Sequence, residues 1–189
     1  MTVSEQRHTP TTPHRVHMPD LALRPVVESS AARYVWALAR LSLGWVFVWA
    51  FLDKTFGLGH DTKNAQAWIH GGSPTKGFLA FGAKGPFAGF YHDIAGAAWA
   101  DWLFMLGLAG IGTALMLGVC MRLAAAAGTL LLVMMWSVTL PPANNVFMDD
   151  HLIYALVLIG LALVAAGDAV GLGRWWGNTA LVRKLPVLK

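Results

Sequence analysis

The sequence predicts an all-α polytopic membrane protein, a four-helix transmembrane bundle with a long helical outer loop between its first and second spans. Three observations carry this. Of 189 residues, 56% are hydrophobic and only 13% charged, with a mean hydropathy of +0.53, where an ordinary soluble domain carries roughly 25% charge. Four apolar runs approach the ~20 residues that a hydrocarbon core of about 30 Å requires. Basic residues flank one set of run ends and are missing from the short loop opposite.

Residues 1–30 have prolines at 10, 13, 19 and 25, little apolar periodicity and no signal-peptide core, and read as a flexible cytoplasmic tail. The membrane domain, residues 31–176, then begins with a span over 34–56. At 100° per residue, Arg40, Gly44, Phe47, Phe51 and Lys54 share one face of that helix, and Asp53 points elsewhere. Residues 57–101 are too interrupted by glycine and charge to cross a bilayer. Their aromatics, at 78, 81, 87, 90, 91 and 99, suit short interfacial helices forming an outer lid.

The second span, 102–120, places Gly110, Ala114 and Gly118 at four-residue spacing, a stripe read as helix packing. A minimal turn with Arg122 leads to the third span, 123–140, and PPANNVFMDDH to the fourth, 152–167. Residues 177–189 are a basic cytoplasmic C-terminal tail. Arg24, Arg33, Arg122, Arg174, Arg183, Lys184 and Lys189 fall on one side, so the positive-inside rule puts both termini in the cytoplasm and residues 149–151 outside. The expected location is the cell membrane, multi-pass. Most tryptophans sit near span ends, as in an interfacial belt.

Ionisable groups in lipid cost at least ~2.5 kcal/mol each on insertion scales, so those near the spans carry information. Arg40, two turns inside the first span, either snorkels to headgroups or faces inward to bind an anion or polar head group. Lys54 closes the outer end of the same helix, flanked by Trp49 and Phe56. In NNVFMDDHLIY, one of Asp149 and Asp150 is expected to cap the fourth helix, since carboxylates satisfy the free N–H groups of a helix start. Both together, with His151 and with Tyr154 one turn beyond Asp150, exceed what a cap needs and form a polar wall able to move protons.

ARLSLGWVFVWAFLDKTFG, GLAGIGTALMLGVCMRLAA and DDHLIYALVLIGLAL together resemble the DoxX/DoxD-like membrane proteins, four-helix proteins that include the large subunit of thiosulfate:quinone oxidoreductase. The resemblance covers residues 33–176. It implies Arg40, Asp53, Lys54, Asp150 and His151 as polar site residues and menaquinone or ubiquinone as a substrate partner. The enlarged lid, with GGSPTKGFL, departs from the family pattern.

Reducing a quinone takes two electrons and two protons, which an aromatic cleft with His and carboxylate groups can support. Lys54 with Lys63, Lys76 or Lys84 offers cations for a sulfur anion. One cysteine, no GxGxxG opening a βαβ unit and no histidine pair at mid-span leave no place for an iron–sulfur cluster, flavin or haem. Electrons must pass directly or through a partner subunit. His60, His70, His92, Asp93 and His151 lack metal-ligand spacing, so no metal is expected. The sequence thus gives two readings. One is the membrane subunit of a quinone-linked oxidoreductase, with Asp150, His151, Asp53 and Lys54 catalytic and Arg40, Trp49 and Tyr154 binding. The other is a non-catalytic scaffold or accessory subunit of a larger membrane complex. The lipid bilayer is a partner in both, and nucleic acid in neither.

Overall fold

A computed structural model describes residues 29–189. The expected N-terminal tail lies almost wholly outside the described residues. Among the described residues all regular structure is helical: α1 (Ser30–Phe56), α2 (Ala88–Ile94), α3 (Ala98–Leu117), α4 (Met121–Val138), α5 (Asp150–Leu163), α6 (Gly173–Gly177) and α7 (Ala180–Lys184), with short 3-10 and π turns between them.

Three helices, α1, α3 and α4, are long and apolar enough to cross a membrane. The sequence expectation of a fourth full span is not met by helix length. α5 has 14 residues, and at 1.5 Å per residue it reaches only about 21 Å of the 30 Å core. It ends at Leu163 because Ala165 turns into the left-handed region at φ 51°, followed by a 3-10 turn at Ala166–Asp168. The apolar composition of VAAG hides that break from a hydropathy reading. The first span ends at residue 56 as expected, and the other expected boundaries move by two to four residues.

α1, α3, α4 and α5 share one core, with Phe47, Met105, Leu115, Leu132, Leu158 and Leu161 among its buried side chains. Lipid tails are as apolar as leucine, so within a bilayer close approach and interhelical hydrogen bonds hold helices together more than burial does. A close backbone approach joins α1 to α3 at Gly112, where a Cβ would come within 2.8 Å of Val48 Cγ2 and 2.9 Å of the Val48 backbone N. Gly44 faces Leu115 in the same seam. The expected packing stripe holds at Gly118, where a Cβ would meet Gly167 O at 2.9 Å, and fails at Gly110, which is exposed and where a Cβ would meet nothing within 4 Å. Four-residue spacing selects a face without saying which face meets a neighbour.

The buried Arg40 side chain closes one end of the bundle. Its guanidinium donates to Leu115 O and to Met116 O (3.1 Å) at the end of α3, and to Ala169 O (3.5 Å) and Val170 O (2.6 Å) beyond α5. Cationic N–H groups suit those carbonyls, which carry the negative end of the α3 dipole and lack helical partners. The C-terminal tail folds onto the same end: Arg122 donates from Nη1 to Pro186 O (3.0 Å) and from its backbone N to Lys189 O (2.9 Å), and Trp176 Nε1 donates to Leu188 O (2.6 Å). At the opposite end, the close of α1 and of α4 and the start of α3 and of α5 come together beneath the 57–97 connection.

Candidate functional site

A cavity of about 1060 Å³ lies at that opposite end, within the four long helices and under the connection. This is just above the 300–1,000 Å³ range typical of small-molecule sites. α1 contributes Val46, Phe47, Ala50 and Lys54, one face at helical spacing. α5 contributes Asp150, His151 and Tyr154 from its first turns, and α3 and α4 supply an apolar wall that includes Leu108 and Leu132. Lys54, Asp150, His151 and Tyr154, singled out from the sequence on different helices, thus line one space.

The α5 start has a defined hydrogen-bond order. Asp149 is the N-cap, and its Oδ1 accepts from the Leu152 backbone N (3.2 Å). Its Oδ2 lies 2.8 Å from His151 Nδ1 and 3.1 Å from Thr139 Oγ1. Burial pushes the Asp149 carboxyl up, but hydrogen bonds from His151, the Leu152 amide and Thr139, with the charge of His151, outweigh it and hold the carboxyl below its ordinary range. An ionised carboxylate only accepts, so Nδ1 carries the proton and Nε2 is the ring nitrogen left available. The His151 side chain is 16% exposed and that of Asp150 is 69% exposed, its carboxylate 3.6 Å from Nδ1. One buried and one open carboxylate therefore flank the imidazole.

Three predicted site residues lie elsewhere. Arg40 is consumed by carbonyls at the far end of the bundle, neither snorkelling nor lining the cavity. Asp53 is buried, accepting from the backbone N of Thr62 (2.8 Å) and of His60 (3.3 Å), and so fixes the loop that leaves α1. Trp49 packs edge-on against His60, ring centroids 5.1 Å apart, away from the cavity lining. Of the lysines, Lys54 and Lys76 reach the cavity and Lys63 and Lys84 do not.

Two positioning groups were not anticipated from the sequence. Asp101 is a buried residue in the first turn of α3 whose Oδ1 accepts from Ser73 Oγ (2.9 Å), Thr75 N (3.1 Å) and Thr75 Oγ1 (2.6 Å). It fixes the 72–77 segment that walls the cavity. Tyr91 of α2 reaches Ser137 Oγ (2.5 Å) and Met134 O (3.3 Å), pinning the connection to α4. A run of Ser, Pro and Thr in an interrupted loop gives no sign of such a partner 26 residues away.

Asp149, Asp150 and His151 also bring metal-ligand atoms within 4.8 Å of one another. Both oxygens of Asp149 are already engaged, by Leu152, His151 and Thr139, so the cluster is accounted for by capping and the His pair. His70 Nδ1 and His92 Nε2 are each spent on a backbone carbonyl, Asn64 O (2.8 Å) and Ala83 O (3.1 Å). Compared with protein-family models, curated proteins and solved structures, the chain matches none.

Proposed function

We propose that this chain is a DoxX-like membrane subunit of a quinone-linked oxidoreductase, a four-span protein of the cell membrane with cytoplasmic termini and an outward-facing cavity that takes menaquinone or ubiquinone as substrate. The observation that supports it is the meeting of Lys54, Asp150, His151 and Tyr154 on one large, mainly apolar cavity. The short α5 completes its crossing through the turns that follow it.

A quinone oxygen is a neutral acceptor, and the charged lining is balanced, Lys54 and Lys76 against Asp61 and Asp150. Such a lining suits a neutral ring better than a sulfur dianion, which requires net positive charge. Thiosulfate or a related sulfur donor therefore delivers its electrons from outside this chamber or through a partner subunit. Each quinone gains two electrons and two protons to become the quinol. His151 takes a proton at Nε2, with Asp149 stabilising the imidazolium, passes it to the quinone oxygen, and is reprotonated to deliver the second in the same way. Asp150 exchanges protons with water, and Lys54 and Tyr154 hold the ring oxygens.

The test uses purified protein in nanodiscs with thiosulfate and decylubiquinone. Quinone reduction in the wild type, lost in His151→Gln, Asp150→Asn and Lys54→Met variants that still insert, is expected. Full activity in all three variants overturns the site. Quinone binding without reduction by the chain alone assigns electron delivery to a partner subunit, and absence of quinone binding points to the accessory-subunit reading.

A further inference from the structure

We infer that the cavity is open sideways to the bilayer, and that the hydrocarbon chain of a membrane amphiphile enters it between α3 and α4. The observation is that some lining residues are simultaneously on the outer surface of these helices. Leu103 on α3 and Met134 on α4 line the cavity, yet they are 65% and 40% exposed. Both belong to helices long and apolar enough to cross a membrane. Further in, Leu108 and Leu132 line the same cavity and are each only 4% exposed. An apolar path therefore runs from a lipid-facing surface to the bundle centre.

The helices permit such a gap. α3 and α4 are joined by the tight turn Gly118–Cys120, so they are held close at the Arg40 end. At the other end Ala100 near the start of α3 and Val138 at the close of α4 both line the cavity, together with Phe81 and Phe90 of the connection. An apolar chamber open to water is costly to maintain, whereas one open to lipid is filled by chains at little cost. Of the polar groups, Lys54, Asp150 and His151 come from α1 and α5, the other two walls, and Asp61, His70 and Lys76 from the covering connection. A ligand with an oxygen-bearing head and a single long chain matches that order. Head and chain together deepen the quinone reading by assigning a place to the prenyl chain, but entry itself requires no redox step.

The experiment uses full-length protein in phosphatidylcholine nanodiscs with palmitate carrying a mid-chain diazirine, irradiated and mapped by peptide mass spectrometry. Adducts on Leu108 or Leu132 are expected, because neither is accessible from the lipid-facing surface. Adducts confined to Leu106 and Leu130, exposed residues outside the cavity lining, overturn lateral entry. Met134→Trp, which narrows the gap, should reduce the inner adducts several-fold and leave those on Leu106 and Leu130 unchanged. Leu103→Trp serves as the second variant on the opposite wall. Inner adducts that persist undiminished in both variants refute the gap as the route. Decylubiquinone is added as competitor: inner adducts that resist it uphold lateral entry while overturning the quinone reading.

Discussion

Replacing Asp149 with asparagine separates its two roles. The cap bond to Leu152 N needs an oxygen, so the single amide oxygen of asparagine stays there and its NH2 group turns to His151 and Thr139. Two donors cannot face each other, so His151 must move its proton from Nδ1 to Nε2. Thr139 loses nothing: its hydroxyl, 2.9 Å from Trp136 O, donates there and accepts from the new amide. Asparagine caps about as well as aspartate, whereas alanine costs about 1 kcal/mol. A hydrogen bond to a charged partner is worth ~1.5–3 kcal/mol against ~0.5–1.5 for a neutral one. Asp149→Asn should therefore lose about 1 kcal/mol and Asp149→Ala about 3 kcal/mol in mixed-micelle unfolding. The 15N shifts of His151, assigned by comparison with His151→Gln, should show the tautomer exchanged in Asp149→Asn. Acid supplies a second check. The folded carboxyl lies below its ordinary value, so its stabilisation is complete above the unfolded pKa of about 3.9 and is lost as pH falls through the lower folded value. The asparagine deficit should thus shrink below about pH 4. An unchanged tautomer, an Asn variant as unstable as the Ala variant, or a deficit that grows in acid would refute the dyad.

Two further predictions rest on packing and on the cavity wall. Asp101→Ala strands three donors, of which the Thr75 N–H is a backbone group, and should weaken docking of residues 72–77 by about 3 kcal/mol, a roughly hundredfold faster amide exchange there. Unaltered exchange would show that Asp101 does not hold the wall. Gly112→Ala forces a Cβ against the Val48 backbone and should destabilise by about 1–3 kcal/mol, while Gly110→Ala meets open space and should be neutral or stabilising by up to about 1 kcal/mol. Thermal unfolding in detergent compares the two, and equal effects would contradict the α1–α3 seam.

The parts legible in the sequence are those governed by local rules. Apolar run length located α1, α3 and α4, and helical spacing on α1 separated Lys54 from Asp53 correctly, because one residue is a 100° rotation. Spacing likewise put Asp150 and Tyr154 on one face, and the preference of carboxylates for helix starts anticipated a cap in the Asp149–Asp150 pair. Arg40 does face inward, but its partners are backbone carbonyls, which every residue owns and no side-chain pattern marks. The true α1–α3 seam was missed for a similar reason. Gly44 and Gly112 are close only once the helices cross, and neither belongs to a repeating stripe.

The two ends of the bundle differ in a way that accounts for the cavity. At the Arg40 end, a three-residue turn joins α3 to α4, and one guanidinium draws α1, α3 and the segment after α5 to a single point. Helices drawn together there leave room at the other end unless bulky side chains fill it. The connections at that end, residues 57–97 and 139–149, do not fill it. They are anchored at its rim by Asp53, Asp101, Tyr91 and Asp149, each through hydrogen bonds to chain or side chain. Polar groups on the cavity that these bonds leave unspent, among them Lys54, Asp150 and the Nε2 of His151, are then ones a bound molecule meets. Loosening the clamp and loosening the rim should accordingly have different consequences: the first lets the whole bundle shift, the second alters only how the cavity is covered.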